Sequence, residues 1–415
     1  MRPDRLEGAD AMHALVIGVQ PPLVESLVSR GHEVTLIHEA AQAARVRDLV
    51  PPAVHTVAIG SVTSPESILG ALAYLGITAK IECVVPGNEV AVVPSAIVGE
   101  LIGARSLPVR TALACRNKAV QKATWADIVP TARWSVLTGS DDDIPARLRD
   151  ADIDLPCIAK PLDKGGTTDV GMVSEVNELQ TRLAELAAPL LVEQYLEPPE
   201  WHLDGVIQSS EISHFMVSQY CSPVLDTKRG IPVQSMTYPG ASNAVLYNAA
   251  REFTHRAVTS LDLTDGVFHL EAFGREGEFI AGELACRPGA GMIPQVGRIA
   301  LGIDLWDAVG RLATDEPVPP AAARSQDYLG FVNLPSVAGE VNTVDITTFT
   351  ELDWVVDVVE RRAVGEIMRD MTRGVGFGMG YVMVRAATRE DLRSRLDTVT
   401  DLMRTAQRNR TGIEL

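Results

Sequence analysis

The start of the chain alternates apolar runs with helical spacing of apolar residues. The run HALVIGV at 13–19 predicts a buried parallel strand, the segment at 23–29 predicts a helix, and EVTLIHE at 33–39 predicts a second strand. The strand pattern returns in IECVVPG at 81–87, and another apolar segment follows it. Because strands that alternate with helices form parallel sheets, residues 1–115 are predicted to form a doubly wound α/β domain.

The first strand-to-helix turn of this domain argues against a dinucleotide site. Its sequence is GVQPP, which lacks the G-x-G-x-x-G spacing that lets a pyrophosphate approach the backbone. A nicotinamide cofactor is therefore not expected here, although the domain begins like one that binds such cofactors.

The middle of the chain has a different pattern of basic, apolar and glycine-rich segments, which predicts a second, two-lobed domain at 116–315. A basic helical stretch at 116–128 precedes an apolar strand that ends near Lys160, a glycine-rich loop at 164–171 and the strand PLLVEQYL at 189–196. Further on, the alternating segments GVFHLEAFGR and EFIAGELACR are separated by a short turn, which predicts a β-hairpin.

Two later regions complete the predicted organisation. The polar stretch at 222–243 is rich in proline and glycine and predicts a long loop, in which Lys228 and Arg229 either contact a substrate carboxylate or are simply solvated. Residues 316–415 contain more strands and a final helix at 389–407, and they are predicted to form a C-terminal α+β domain. The fold class is therefore α/β, with a parallel-sheet domain first.

Composition narrows the class of partner. A net charge of −17 argues against nonspecific binding to nucleic acid or to an anionic membrane, because the field of the whole protein repels phosphates. No apolar run is long enough to span a bilayer and the first residues lack a secretory signal, so the expected location is cytoplasmic. The five cysteines are scattered without metal or redox spacing, which favours reduced thiols. Any phosphate bound by this chain must be met by local cations.

Lys160 is the first candidate for meeting phosphates. It ends an apolar strand, and the sequence KGGTTDVG follows closely, so one ammonium group and several backbone N–H groups can surround the same phosphates. The spacing is not that of a Walker P-loop, and taken alone the glycine pair is more typical of a plain hairpin turn.

The segment LLVEQYLEPPEWHLDG supplies a second candidate. An apolar strand leads into Glu193, continues through Tyr195 and Leu196, and turns before Glu200. The backbone of this segment can form hydrogen bonds with the edge of a purine, and a carboxylate of the segment can bind a pair of ribose hydroxyls. The simpler interpretation is a solvated acidic turn.

Two glutamates in the predicted hairpin form the third candidate. Glu271 and Glu283 lie on neighbouring strands, where pairing would bring both carboxylates to one face, and paired carboxylates suit Mg²⁺. Arg287 follows closely and can act as a bidentate fork for a phosphoryl or carboxylate group. His269 lies two residues before Glu271 on the same face, where it orients a substrate, carries a proton or is a satisfied core histidine.

In this order, the segments around Lys118, Lys160, VEQYLEPPEWHLDG, HLEAF and GELACRPGAG resemble the ATP-grasp superfamily of carboxylate–amine ligases. The resemblance covers roughly residues 10–315, and the remainder looks like the C-terminal domain of amino-acid (dipeptide) ligases. Each motif taken alone is weak evidence for this family, whereas the order of all the motifs along the chain is specific for it.

The resemblance implies a role for each position. Lys118 and Lys160 match the phosphate-contacting lysines, and the flexible loop that closes on the phosphates would include Gly165, Gly166 and Thr167. Glu193, Tyr195 and Leu196 match the adenine hinge, and Glu200 matches the ribose ligand. Glu271 and Glu283 match the metal ligands, Arg287 matches the arginine that steadies the acyl phosphate, and Ala285 replaces the asparagine that many members use as a further metal ligand.

The implied activity is ADP-forming ligation. ATP with Mg²⁺, or Mn²⁺ in its place, would activate the carboxylate of an amino acid for attack by an amine. The oligomeric state is left open, and a homodimer is the commonest expectation for such an enzyme. The alternatives are a glycinamide ribonucleotide synthetase-like or biotin-carboxylase-like ligase, a kinase of the same fold, or a noncatalytic nucleotide-binding protein. The sequence leaves the acid, the amine and the number of metal ions open.

Overall fold

The computed structural model describes residues 11–139, 143–197, 199–321, 325–334, 339–340, 347–360, 367–368 and 380–411. Within these ranges no helix is both long and apolar enough to cross a membrane. All five cysteines are free thiols, as predicted.

The first sheet confirms the predicted parallel α/β arrangement. Its elements in chain order are β1 (His13–Ile17), α1 (Pro21–Ser29), β2 (Glu33–Glu39), α2 (Ala43–Leu49), β3 (His55–Ile59), α3 (Pro65–Leu75), β4 (Cys83–Pro86) and α4 (Val92–Ile102). The strands are parallel in the order β3-β2-β1-β4, so the chain changes direction across the sheet between β1 and β4. Ligands of open α/β sheets bind at such a switch point, beyond the carboxyl ends of the strands.

The turns after β1 and β4 approach each other closely at this point. A Cβ on Gly87 would lie 2.1 Å from the carbonyl oxygen of Gly18, and Gly18 itself has a φ of +92°. Only glycine fits both positions, because neither the contact nor the left-handed backbone tolerates a side chain. The chain after Gly87 therefore leaves the sheet at a fixed place, which positions Glu89.

A small antiparallel sheet follows two connecting helices. The elements are α5 (Val109–Arg116), α6 (Lys118–Trp125), β5 (Trp134–Leu137), α7 (Ile144–Asp150), β6 (Cys157–Pro161), β7 (Gly171–Val173), α8 (Val176–Leu186) and β8 (Leu190–Gln194). The strand order is β5-β8-β6-β7. The amphipathic helices α7 and α8 bury leucines against one face of the sheet, which leaves the other face for the remainder of the chain.

A large antiparallel sheet forms the centre of the molecule. The remaining elements are β9 (Glu200–Gln208), β10 (Glu211–Tyr220), β11 (Gln234–Tyr238), α9 (Ala244–Thr259), β12 (Gly266–Phe273), β13 (Ile280–Ala285), α10 (Ile293–Ala300), α11 (Leu305–Ala313), β14 (Tyr328–Leu334), β15 (Gly339–Glu340), α12 (Thr347–Thr350), β16 (Val355–Glu360), β17 (Ile367–Met368), β18 (Gly380–Ala386) and α13 (Arg389–Thr411). Eight strands pair in the order β13-β12-β9-β10-β11-β14-β18-β16, and β15 pairs with β17 separately.

Both faces of the large sheet are covered by helices. Trp125 of α6, Trp201 of β9 and residues of α9 share one core, and Trp125 donates from Nε1 to the carbonyl of Ala257 at 2.9 Å. Helices α10 and α11 cover Phe331 and its neighbours in a second core, and α13 packs against β14 and β18. Because both faces are buried, β9 is apolar or buried along nearly its whole length.

One sequence prediction is wrong in this region. The stretch at 222–243, predicted as a single long loop, contains a 3-10 helix at Val224–Arg229 and the strand β11, which pairs with β10 and β14. The predicted division at residue 315 stays a prediction, and strands from both sides of it share the large sheet.

Candidate active site

One cavity between the small and the large sheet is lined by thirteen of the site residues that the sequence predicted. These residues are Lys118, Lys160, Gly165, Gly166, Thr167, Glu193, Tyr195, Leu196, Glu200, His269, Glu271, Glu283 and Arg287. They come from α6, from both antiparallel sheets and from the segments that leave these sheets. The fold thus assembles one site from distant parts of the chain, while the ligand of each residue stays a prediction.

Lys160 and Glu193 form a buried ion pair in the small sheet. Lys160 lies on β6 and Glu193 on the adjacent β8, and Lys160 Nζ is 2.5 Å from Glu193 Oε1. Lys122 of α6 reaches the other oxygen, with its Nζ 3.2 Å from Glu193 Oε2. Burial alone would raise the pKa of Glu193, but the two lysines lower it to about 2. This carboxylate is therefore ionised and holds two ammonium groups in the cavity wall.

Lys118 joins α6 to the glycine-rich loop and to the large sheet. It is the first residue of α6, which begins at the N-cap Asn117. Its Nζ donates to the carbonyl of Lys164 at 2.5 Å and lies 2.9 Å from Glu283 Oε1. For Lys160, burial would lower the pKa of the ammonium group, but Glu193, Glu283 and Glu271 together raise it. The Lys160 ammonium is therefore charged at neutral pH.

The glycine-rich loop connects β6 and β7, which pair as a hairpin. Its backbone enters the left-handed region at Gly166, Thr167 and Asp169, with φ of 65°, 62° and 57°. This conformation is unusual for a β-branched residue such as Thr167. The Thr167 hydroxyl is also buried and has no hydrogen-bond partner among the described residues. Since buried polar groups are nearly always paired, this hydroxyl fits a ligand oxygen in the cavity.

Glu271 and Glu283 lie directly opposite each other on β12 and β13. The predicted hairpin pairing is therefore confirmed, with a register shift that follows Glu271. The side chains are 34% and 25% exposed, which leaves both carboxylates accessible from the cavity. Two adjacent carboxylates with open coordination positions fit Mg²⁺, which prefers oxygen ligands.

His269 belongs to a buried chain of hydrogen bonds. Its Nδ1 is 2.7 Å from Asp204 Oδ1, the other Asp204 oxygen is 2.6 Å from His202 Nδ1, and His202 Nε2 is 2.7 Å from Ser235 Oγ. His269 Nε2 faces Glu271 Oε1 at 3.6 Å. Burial would lower the pKa of His269, but Asp204 and Glu271 raise it to about 10.

A protonated His269 is suited to orient an anion and is a poor proton acceptor. Of the three roles that the sequence left open, carrying a proton fits this environment least, while orienting a substrate and being a hydrogen-bonded core histidine both stay predictions. His202, Asp204 and His269 also lie close enough together to share a metal ion. However, both oxygens of Asp204 already accept hydrogen bonds from the two rings, so the hydrogen-bonded chain accounts for their proximity.

Arg287 connects the large sheet with the first domain. Its guanidinium group contacts the carboxylate of Glu89, which follows β4 at the switch point of the parallel sheet. Arg287 Nη1 also donates to the carbonyl of Pro288 at 2.7 Å, and Arg116 Nη1 is 3.5 Å from Glu89 Oε1. The first domain thus places an acidic group beside the arginine that is predicted to steady the reacting centre.

The predicted adenine and ribose contacts lie at the end of the cavity where β8 ends and β9 begins. Tyr195 and Leu196 follow β8 and line the cavity. Glu200 is buried and accepts a hydrogen bond from the backbone N–H of Val224 at 2.9 Å. Burial, together with the negative charge of Glu271, raises the pKa of Glu200 to about 8.

Sequence reasoning missed some residues of the site and named others that lie elsewhere. Lys122 was detectable, since it follows Lys118 at the i,i+4 spacing of one helix face. Glu89 and Asp204 carried no comparable signal, because their partners are distant in the chain. Lys228 and Arg229 do not line the cavity, and Arg229 is 67% exposed and pairs with Asp226.

Comparison with curated proteins finds a relative that is an amino-acid ligase. The chain is 23% identical over 261 residues to the L-arginine-specific L-amino acid ligase of Bacillus subtilis. The alignment covers 60% of this chain and 61% of the relative, so the chain spans less than two thirds of that protein. No protein-family model matches the chain.

Solved structures match over nearly the whole length. The L-amino acid ligase of Bacillus licheniformis superposes with a TM-score of 0.76 at 16% identity, over 95% of this chain and 98% of that one. The carboxyaminoimidazole ribonucleotide synthase of Aspergillus clavatus, solved in complex with ATP, gives a TM-score of 0.69 at 17% identity, over 95% and 99%. The shared arrangement of sheets confirms the predicted fold class.

Proposed function

We propose that this chain, which has the ATP-grasp fold, is an ATP-dependent ligase that joins a carboxylate, in the first place that of an amino acid, to an amine with release of ADP and phosphate. One observation carries the proposal above all. Four lysines, a loop whose Thr167 hydroxyl has no hydrogen-bond partner among the described residues, an opposed pair of carboxylates and an arginine line the same cavity. The similarity to the two L-amino acid ligases supports the choice of substrate class.

The proposed first step forms an acyl phosphate. A carboxylate oxygen of the acid attacks the γ-phosphorus of ATP, the bond between the β- and γ-phosphoryl groups breaks, and ADP leaves. Lys118 and Lys160 bind the phosphate oxygens and offset their charge, and the loop that carries Thr167 covers them. Mg²⁺, or Mn²⁺ in its place, held by Glu271 and Glu283, would neutralise phosphate charge.

The proposed second step forms the amide. The amine nitrogen attacks the acyl carbon, the carbon–oxygen bond to the phosphoryl group breaks, and phosphate leaves as the nitrogen loses a proton. Arg287 holds the oxyanion that develops at the acyl carbon, and protonated His269 orients the carboxylate group beforehand. Closure of the glycine-rich loop excludes water, which would otherwise hydrolyse the acyl phosphate.

Product analysis in a single turnover tests this proposal. The protein is mixed with ATP, Mg²⁺ and pairs of amino acids, the nucleotides are separated, and the amide is detected by mass. Equal amounts of ADP, phosphate and dipeptide are expected. Release of AMP and pyrophosphate would contradict an ADP-forming ligase. ADP formation that leaves a stable phosphorylated acid without any need for amine would indicate a kinase.

Two further arms separate the alternative ligases. Bicarbonate replaces the amino acid in one arm, and phosphoribosylamine with glycine replaces the pair in the other. Stimulation of ADP release only in one of these arms would move the assignment to a carboxylating ligase or to a glycinamide ribonucleotide synthetase. Nucleotide binding without turnover in any arm would indicate a noncatalytic protein.

A further inference from the structure

Lys122 is a buried lysine that the reaction described above does not use. Burial lowers the pKa of its amino group, and the charge of Glu193 opposes this shift. Its side chain is 1% exposed, although it lines the cavity wall. Its Nζ lies 3.2 Å from Glu193 Oε2 and donates to the carbonyl of Ala281 on β13 at 3.0 Å. Lys122 therefore links α6 to both antiparallel sheets. Burying an ammonium group costs free energy unless a counterion and hydrogen bonds offset the loss of water.

Glu193 does not serve Lys122 alone. Its second oxygen is 2.5 Å from Lys160 Nζ, so one buried carboxylate is shared by two ammonium groups. The two lysines come from different parts of the structure. Lys160 sits on β6 of the small sheet, and Lys122 sits on α6, four residues after Lys118. Two lysines therefore face the single carboxylate of Glu193, and Glu271 and Glu283 also act on Lys160.

The sharing matters when a phosphate enters the cavity. To bind phosphate oxygens, Lys160 must loosen its contact with Glu193. If Lys160 were the sole partner of Glu193, this movement would leave a buried carboxylate without a counterion, which is strongly unfavourable. With Lys122 in place, Glu193 keeps a partner at its other oxygen throughout.

We propose that Lys122 is a positioning residue, which keeps Glu193 paired and thereby lets the ammonium group of Lys160 turn to the phosphate groups of a nucleotide. This inference rests on the proposed function, because it presumes that nucleotide phosphates bind beside Lys160. It assigns to Glu193 the task of holding the two lysines, in addition to the predicted place of its segment beside the adenine.

A purely structural role for Lys122 makes a different prediction. In that case Lys122 ties α6 to β13 through the carbonyl of Ala281, and its loss would weaken the fold whatever residue occupies position 193. In the proposed role, loss of Lys122 weakens nucleotide binding because the Glu193 carboxylate then retains Lys160. The loss of affinity must therefore disappear when that carboxylate is removed.

The experiment is a double-mutant cycle on the full-length protein. Lys122→Met and Lys122→Gln are each made alone and together with Glu193→Gln, and the dissociation constant of Mg-ATP is measured by calorimetry beside the melting temperature. Each single variant is expected to weaken binding by roughly tenfold or more, because Lys160 stays on Glu193. In the Glu193→Gln background, the same change is expected to alter the dissociation constant by less than about threefold.

Lys118→Met is the matched control, since it removes the same charge from the same helix without touching Glu193. Its effect on the dissociation constant should be equal in both backgrounds, within about threefold. An equal loss for Lys122→Met in both backgrounds would overturn the inference and support the structural role. If neither single Lys122 variant folds, Lys122→Arg decides, because it keeps a cation beside Glu193. The inference expects Mg-ATP binding within about threefold of the wild type, and a loss beyond roughly tenfold in the folded variant contradicts it.

The failure of this inference is distinguishable from the failure of the proposed function. Absence of Mg-ATP binding by the wild-type protein would contradict the proposed function itself. Wild-type binding that is unchanged by Lys122→Met and Lys122→Gln would leave the proposed function standing and overturn the role of Lys122.

Discussion

Two clusters of ionic side chains in this molecule are built differently. The cleft cluster lines the cavity and consists of Lys118, Lys122, Lys160, Glu193 and Glu283. The latch cluster joins α1 and the start of β2 to α11 and the segment after it, and it consists of Arg30, His32, Asp307, Arg311 and Glu316. In the cleft cluster three ammonium groups pair with two carboxylates. In the latch cluster two guanidinium groups pair with two carboxylates.

The difference indicates what each cluster is for. In the latch cluster Arg30 Nε is 3.1 Å from Glu316 Oε2, and Arg311 Nε is 2.7 Å from Asp307 Oδ2, so the fixed charges balance within the protein. Such a cluster holds two parts of the chain together. In the cleft cluster Lys122 and Lys160 share Glu193, and every member of the cluster lines the cavity, where a ligand can replace a protein partner. We therefore expect changes in the cleft to alter activity and changes in the latch to alter stability.

The largest effect is expected from the opposed carboxylates, of which Glu283 belongs to the cleft cluster and Glu271 lies opposite it. Glu271→Gln or Glu283→Gln keeps the shape of the side chain and removes a charge that the proposed reaction needs. ADP formation is expected to fall about 10²- to 10³-fold, the range found when one preorganised electrostatic group is lost. The melting temperature should stay close to that of the wild type, because both side chains are partly exposed.

Glu276→Gln is the control for these variants, since Glu276 is exposed in the turn of the same hairpin. It should leave the rate of ADP formation unchanged. A Glu271→Gln protein that forms ADP at the wild-type rate would show that the opposed carboxylates have no part in the chemistry.

The second prediction concerns the latch. Arg30→Met removes the guanidinium group that contacts both Asp307 and Glu316 and leaves these carboxylates with fewer partners. The free energy of unfolding is expected to fall by about 1–3 kcal/mol, less than for a fully buried pair, because Asp307 is partly solvated. The measurement is urea unfolding together with the rate of ADP formation per folded molecule. That rate should stay within about twofold of the wild type, and a far larger loss would show that the latch takes part in the reaction.

The sequence predicted those parts of the site that depend on local pattern. The pairing of Glu271 with Glu283 followed from two alternating segments and a short turn, which together set the register of a hairpin. The first parallel sheet followed in the same way from the spacing of its apolar runs. In both cases the information lies within a few neighbouring residues.

The parts that were missed depend on contacts between distant segments. Lys122 shares one helix face with Lys118, but its partner Glu193 comes from β8, which the spacing within the helix does not indicate. His202 and Asp204 alternate on β9, but the partner that completes their hydrogen-bonded chain comes from β12. β11 is five residues long and lies between proline- and glycine-rich segments, so only its pairing with β10 and β14 identifies it as a strand.

The smallest effect is a pH dependence confined to the latch. Burial would raise the pKa of Glu316, but hydrogen bonds from Thr314 and His32 and the charge of Arg30 lower it below its ordinary value. A carboxyl group whose pKa is lower in the folded state stabilises the protein fully above its unfolded pKa, and this stabilisation is lost as the pH falls through the folded pKa. Glu316→Gln should therefore destabilise the protein at pH 7, and its difference from the wild type should shrink below about pH 4.5.

Unfolding by urea at a series of pH values measures this difference, and Asp315→Asn is the neighbouring control. Asp315 pairs with Arg105 at the surface, so its replacement should change the free energy of unfolding by about 0.5 kcal/mol or less at neutral pH. A Glu316→Gln difference that persists undiminished into acid would mean that the packing of the side chain, and not its charge, stabilises the latch. The contrast between the two clusters would then rest on the cleft cluster alone, where Lys122 and Lys160 share one carboxylate in the wall of the cavity.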